Sequence, residues 1–319
     1  MSVAAEARPG VRRRRGYLER RGVLATALIA PAVLFIALLV GGPLLLAIYL
    51  GFTNAIAGSL SGDFVGLENF RNEWDNPIFR DALKNTVIFT VASQAIVLVG
   101  AGILAHFLIR DFRGKWIIRF LILLPWAAPI ALGTLGFLWI FDALFSVVNW
   151  TITKLDPILE HVGIDLIVNE FNPPQWLGDP ELAMITVIAV HAWRILPFAT
   201  VIFLAGLASI PSEVDDAAKV DGATGLKKFW YVTFPLQLPI ALVALLFGIV
   251  FTATDMTVVY ILTRGGPFNE THMLTTWAFQ TGIESASLGP GAAISLFLLP
   301  VLAIVAILML FFARRVEVS

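Results

Sequence analysis

Leu236-Gln237-Leu238-Pro239-Ile240-Ala241-Leu242-Val243-Ala244-Leu245-Leu246-Phe247-Gly248-Ile249-Val250-Phe251 contains no charged residue, and none occurs anywhere between Lys228 and Asp255. A helix rises about 1.5 Å per residue, so about 20 such residues cross a hydrocarbon core roughly 30 Å thick. No water is available at that depth, so the stretch must pair its own N–H and C=O groups as a helix. Five further stretches read the same way, which places spans at about 23–52, 83–109, 117–141, 182–209, 236–263 and 291–313. Short strands of alternating polarity, the mark of a membrane β-barrel, do not occur. The expected fold is therefore all-α: a polytopic membrane protein with six transmembrane helices.

The composition agrees. Of 319 residues 58% are hydrophobic and only 14% charged, with a mean hydropathy of +0.84. Soluble domains carry about 25% charged residues. There is no cysteine, so no disulfide scaffold, and 23 acidic against 22 basic residues exclude a whole-chain case for nucleic acid. Lysine and arginine set the orientation. Segments 1–22, 110–115, 210–230 and the tail 314–319 hold fifteen of them, whereas loops 54–82, 142–180 and 264–290 hold four. Both termini are expected in the cytoplasm, with 1–22 a basic segment and 23–313 the transmembrane domain. The run after Arg20-Arg21 is too long for a signal-peptide core and lacks a small-residue cleavage site, so it reads as an uncleaved anchor.

Two charges fall inside the expected spans, Arg194 in the fourth and Asp255 in the fifth. Each costs about 2.5–3.5 kcal/mol at a bilayer centre on insertion scales, so each must face a partner or water. The sequence leaves two accounts open: a pair locking two helices, or the polar wall of a solute pathway. Trp193, Phe198 and Phe251 offer flat apolar faces, Thr252 and Thr254 add hydroxyls, and Pro197 removes one backbone donor at depth. His191 reads as a helix-packing residue.

Between spans four and five runs Ile210-Pro211-Ser212-Glu213-Val214-Asp215-Asp216-Ala217-Ala218-Lys219-Val220-Asp221-Gly222-Ala223. Ser212 with Asp215 three residues on suggests a capping box, and Glu213 and Asp216 suit the positive end of a helix dipole. Asp221-Gly222 is a turn signal. The segment predicts a short amphipathic helix, a glycine bend and a second piece entering the membrane through Phe234-Pro235. It serves either as a connector or as a docking surface. The long loop 142–180 carries a helix-like stretch from Val147 to Leu159 and a turn at Asn172-Pro173-Pro174, and poses the same choice for an external partner.

Asp216-Ala217-Ala218, then Gly222, then Val232-Thr233-Phe234-Pro235 is similar to the EAA motif of ABC-importer permeases, with Asp in place of the first Glu and Phe in place of the Leu before Pro. Phe64-Val65-Gly66-Leu67-Glu68-Asn69-Phe70 with Ala82-Leu83-Lys84-Asn85-Thr86, and Leu262-Thr263-Arg264-Gly265-Gly266-Pro267, resemble the sugar-permease branch typified by the maltose and glycerol-phosphate importers. The first of these resembles the F-type member of a heterodimeric pair. The resemblance covers roughly residues 25–313 and implies a type I ABC-importer permease fold. It also implies a second permease subunit, two ATP-binding cassette subunits holding ATP and Mg, and an extracytoplasmic (lipoprotein or periplasmic) solute-binding protein. By the same resemblance the 210–235 segment is the coupling loop, with Glu213, Asp216, Ala217, Ala218, Asp221, Gly222 and Ala223 meeting the ATPase. Sugar contacts of the maltose type fall on Arg194, Ile195, Phe198, Gly248, Phe251, Thr252 and Asp255. Several of these differ chemically from the maltose pattern, which makes maltose itself doubtful.

No catalytic constellation is visible. Gly222-Ala223-Thr224-Gly225-Leu226-Lys227-Lys228 is not a phosphate-binding loop, H-E-x-x-H and G-x-S-x-G are absent, and the four histidines at 106, 161, 191 and 272 are scattered. The expectation is a non-enzymatic, multi-pass cell-membrane subunit with no metal and no cofactor of its own. The rival is a secondary transporter using the Arg194–Asp255 pair.

Overall fold

The computed structural model describes residues 21–59, 61–160 and 173–318, so the N-terminal arginines up to Arg20 and the expected turn residue Asn172 lie outside the described residues. The chain divides into two units, Met1–Tyr49 and Leu50–Ser319. In the first, α1 (Arg21–Ile36) passes through a π turn (Ala37–Gly41) into α2 (Gly42–Gly51). From Leu24 to Ile48 the only polar side chain is that of Thr26. A helix apolar on every side belongs in lipid or a membrane interior. Leu24–Gly51 is long and apolar enough to span.

The second unit opens with a short amphipathic helix, α3 (Glu68–Asp75), and then α4 (Pro77–Ile109). Asn76 caps α4 by accepting the N–H of Ile78 at 3.0 Å, with Pro77 in the first turn. The same device starts α8 (Pro180–Ala208), where Asp179 accepts from Glu181 and Leu182 at 3.1 Å. Proline at the first helical position loses no bond because that N–H is unpaired anyway. Between them come α5 (Lys115–Ala127), α6 (Ile130–Ile140) and α7 (Val147–Glu160), the last matching the helix expected there. After α8 come α9 (Ser212–Val220), α10 (Gly225–Lys228), a π turn (Phe229–Thr233), α11 (Phe234–Ala253), α12 (Thr257–Leu262), α13 (Leu274–Phe279), a π turn (Gln280–Glu284) and α14 (Leu288–Val318). The described residues contain no β-sheet, only two isolated bridges.

Two spans differ from the single helices expected. Stretch 117–141 is broken into α5 and α6, which meet at 96°. Pro129 is the cause. A proline disfavours helical geometry in the residue before it, and Ala128 is extended at φ −69°, ψ 143°. Stretch 236–263 ends its first helix at Ala253 and restarts at Thr257, so Asp255 sits in the break. There its Oδ1 accepts the N–H of Val258 at 3.0 Å, satisfying a donor of the new helix. The span also begins earlier than expected, as Gly225–Ala253 runs continuously through its π turn.

α4, α8 and α11 form the centre of this unit. Val97, Ala101 and Ala105 of α4 meet Ala192, Ile195, Ala199 and Phe203 of α8 and Ala244 of α11, all buried. Small residues let the backbones approach closely, which is how helices gain contact when lipid removes the usual hydrophobic drive. Gly100 and Gly206 serve the same end, receiving Leu196 and Ile240 where a side chain would stand.

Candidate functional site

A polar chain runs through the middle of this packing. Gln94 of α4 donates from Nε2 to the Thr252 hydroxyl of α11 at 2.7 Å, and His191 of α8 meets the same hydroxyl through Nε2 at 2.9 Å. The other ring nitrogen of His191 lies 3.3 Å from Asp255 Oδ2, and Arg194 donates from Nη2 to that same oxygen. Three helices and the α11–α12 break are thus tied together at span depth. Asp255 is 3% exposed as a side chain and Arg194 19%, so the carboxylate is enclosed while the guanidinium reaches an open surface. Gly248 makes the arrangement possible, because a Cβ there would stand 2.1 Å from Gln94 Oε1.

One turn along α8 from Arg194, Phe198 belongs to an aromatic cluster. Trp126 of α5 stacks on Phe198 at 4.9 Å and approaches Phe251 at 6.0 Å, and Phe198 meets Phe251 edge-on at 5.5 Å. Beside it the α5–α6 break leaves a narrow cleft lined by Pro125, Pro129, Gly133, Thr134, Trp193 and Arg194. The break residues Ala127, Ala128 and Pro129 are exposed. Bare, broken backbone at membrane depth is tolerated only against protein or a water-filled cavity.

The seven pathway positions divide accordingly. Arg194, Phe198 and Phe251 reach the open surface, whereas Ile195, Gly248, Thr252 and Asp255 are buried. The pair locks α8 to the α11–α12 break, with Asp255 enclosed and Arg194 partly exposed. Thr254 is exposed, with its hydroxyl returned to the Val250 carbonyl. α8 continues helically through Pro197.

The 210–235 segment forms the helix, bend and second piece that its sequence implies, with one correction. Ser212 makes no capping bond: it is already the first helical residue, and Pro211, extended at ψ 145°, occupies the cap. The bend itself is tightly built. Ala223 donates to the Ala218 carbonyl at 2.8 Å and Gly222 to Lys219 at 3.1 Å, the paired pattern of a Schellman turn, with Gly222 at φ +71° as that turn requires. Of the seven coupling positions, Ala218 and Ala223 are buried and Glu213, Asp216, Ala217, Asp221 and Gly222 exposed, so Ala217 and Ala218 do not share one face. Two apolar side chains flanking the bend, Val220 and Leu226, stand 88% and 78% exposed. Sequence reasoning passed over both, as well as Gln94. The i, i+4 polar pattern Thr86, Thr90, Gln94 on a spanning helix was the available signal for the last. Among the described residues no group of three or more His, Cys, Asp or Glu side chains is placed to hold a metal.

Among solved structures, a bacterial alginate ABC transporter in complex with an alginate-pentasaccharide-bound periplasmic protein superposes with a TM-score of 0.75. It covers 93% of this chain and 96% of its own at 18% identity, a likeness of fold. The fold is that of type I ABC permeases. Curated relatives include the sulfoquinovosyl glycerol transport system permease protein SmoG of Agrobacterium fabrum, 30% identical over 86% of this chain and 84% of its own. The sn-glycerol-3-phosphate transport system permease protein UgpA of the same organism is 31% identical over 92% and 96%. The trehalose/maltose transport system permease protein MalF of Thermococcus litoralis is 29% identical over 73% and 74%. Residues 98–318 match the family described as the binding-protein-dependent transport system inner membrane component. That match takes in the α8–α11 centre, the bend and the broken fifth span, and this chain belongs to that family.

Proposed function

We propose that the chain forms one half of the membrane pathway of an ATP-driven importer for a carbohydrate or sugar-like solute. The observation that carries this reading is the charged pair at span depth, one member of which lines the cleft at a broken span, one turn from an aromatic cluster. A guanidinium gives charge-assisted hydrogen bonds to hydroxyls or to an anionic group, and flat rings cover the C–H face of a sugar ring. In this reading Arg194, Phe198 and Phe251 touch solute, while Ile195, Gly248, Thr252 and Asp255 hold them in place from behind. Polyhydroxylated solutes in the names of the similar permeases point the same way.

The second permease subunit closes the pathway from the other side, and an extracytoplasmic binding protein delivers the solute. Two ATPase subunits hold ATP and Mg and rest on Glu213, Asp216, Ala217, Ala218, Asp221, Gly222 and Ala223. The exposed Val220 and Leu226 supply the apolar contact. Both termini and the bend face the cytoplasm, as the lysine and arginine count requires. Nucleotide closure of the ATPases and solute outside bias the tilt of the two permease halves between outward- and inward-facing states.

The test is reconstitution. Liposomes holding this chain with its permease partner, ATPases and loaded binding protein should take up labelled sugar only with ATP inside, and Gly222→Val should abolish uptake while membrane insertion persists. A β-branched residue is a genuine outlier at positive φ, so that substitution deforms the bend. Uptake by this chain alone, or normal uptake in the variant, overturns the proposal. A thermal-shift screen of the binding protein against sugars, polyols and sugar phosphates names the solute.

A further inference from the structure

The bend has two backbone joints at its glycines, and only the first is closed by a paired hydrogen-bonded turn. Gly222 at φ +71° and Gly225 at φ +55° bracket Ala223 and Thr224, and open space surrounds the position of a Cβ at either glycine. Of the nine residues in α9 only Ala218 is buried, so packing alone does not fix the angle between α9 and the helix that enters the membrane. One side-chain tie crosses both joints. Asp215 of α9 is ion-paired through Oδ1 with Lys228 of α10, and its Oδ2 lies 3.3 Å from Lys219, which also donates to Asp216 at 2.9 Å. Asp215 is thus held from its own helix by Lys219 while its second oxygen reaches across the bend.

We propose that Asp215 and Lys228 form a clasp that stiffens the bend, so that force applied to α9 turns the fifth-span helix rather than folding the joint. They are positioning residues for coupling and rest on the reading of this bend as the ATPase contact. The geometry suits that task. Lys228 lies in the last turn of α10, immediately before the π turn, so the tie attaches at the root of the spanning helix. Both partners are partly exposed, and such pairs add little to folding stability. Their loss should therefore leave a folded chain with a slack joint.

The experiment uses the full complex and compares solute carried per ATP hydrolysed. Lys228→Met should lower that ratio about five-fold, the low end of ordinary coupling between sites, while ATP hydrolysis continues. Lys228→Arg, and the exchange of Asp215→Lys with Lys228→Asp, should restore it. The chain has no native cysteine, so Ala217→Cys can carry a thiol-directed photoreactive cross-linker at a single site. Capture of the ATPase together with an unchanged ratio in Lys228→Met refutes the clasp alone, whereas failure to capture the ATPase refutes the reading of the bend. Spin labels on Ala217→Cys and Tyr231→Cys in the isolated chain give a readout independent of assembly. The distance distribution should broaden in Lys228→Met, and an unchanged distribution overturns the proposal.

Discussion

Gly248→Ala adds one methyl group to a helix in which alanine is intrinsically favoured by about 1 kcal/mol, yet it is expected to destabilise the protein. The added carbon would stand 2.1 Å from Gln94 Oε1, 2.8 Å from its Cδ and 3.1 Å from its Nε2. Carbon atoms prefer separations of about 3.5–4.0 Å, so the whole amide has to withdraw and the 2.7 Å bond to Thr252 breaks. A buried partner left unsatisfied costs about 1–3 kcal/mol, and forcing the Gln94 side chain off its rotamer adds roughly 0.5–1.5 kcal/mol. Hydrogen bonds between membrane helices average about 0.6 kcal/mol in double-mutant cycles, which favours the lower part of that range. The net expectation is a loss of roughly 1–3 kcal/mol, read by reversible unfolding in detergent. Gln94→Ala removes the obstacle, so the double variant should lose at least about 1 kcal/mol less than the two single losses added together. Unchanged stability in Gly248→Ala, or strictly additive losses, would refute the account of Gly248 as the socket for Gln94.

Arg194→Met leaves the enclosed Asp255 carboxylate without its cation and should cost about 3–5 kcal/mol, with a smaller loss when Asp255→Leu accompanies it, measured by the same unfolding assay. Asp255→Ala in the assembled complex should weaken solute-stimulated ATP hydrolysis, and an unchanged dependence on solute concentration removes the pair from the pathway. Burial pushes the Glu73 carboxyl above its usual value near 4.5, although Trp277 and Asn76 donate to it. Its neutral form is therefore favoured in the fold, and stability contributed at low pH is lost as pH rises through the raised value. Glu73→Gln keeps an acceptor for Trp277 and should raise thermal stability at pH 8 more than at pH 5; a pH-independent difference would show that ionisation of Glu73 does not matter.

The spans were legible because lipid permits few backbone solutions, and the length of an apolar run nearly dictates a helix. The breaks inside them were not. Pro129 severs its helix while Pro197, equally interior to its stretch, lies in a helix that continues past it, so a proline by itself does not announce a break. The bend at Gly222 could be read because a Schellman turn demands a left-handed residue at one position. Ser212 misled for the complementary reason: Pro211 already supplies the extended conformation that a cap needs, so the helix begins one residue earlier than a serine cap would set it. The charged pair was visible as two costly residues, but its companions were not. Gln94 and Thr252 lie 158 positions apart, and no local pattern announces that Gly248, one turn before Thr252, makes room for the Gln94 amide.

The Gly222 bend and the charged pair stand at the two ends of one continuous helix. Gly225–Ala253 comprises 29 residues, about 44 Å at 1.5 Å per residue, with Lys228 in its first turn and Thr252 in its last. Asp255 follows directly in the break beyond it, tied to α8 through Arg194 and His191. On the reading proposed above, a tilt of about 5° imposed at the bend displaces the far end of such a rod by roughly 4 Å, well beyond what a hydrogen bond tolerates. Arg194 and Asp255 then either travel together and carry α8 with them, or separate and leave the guanidinium free for solute. Asp255 lies in the break and its Oδ1 accepts the N–H of Val258, so the carboxylate is anchored to α12 rather than to the long helix. On that same reading, a helix unbroken from the bend to the pair, and broken only beyond it, delivers motion to a joint where a solute's own charge or hydroxyls decide which of the two arrangements is kept.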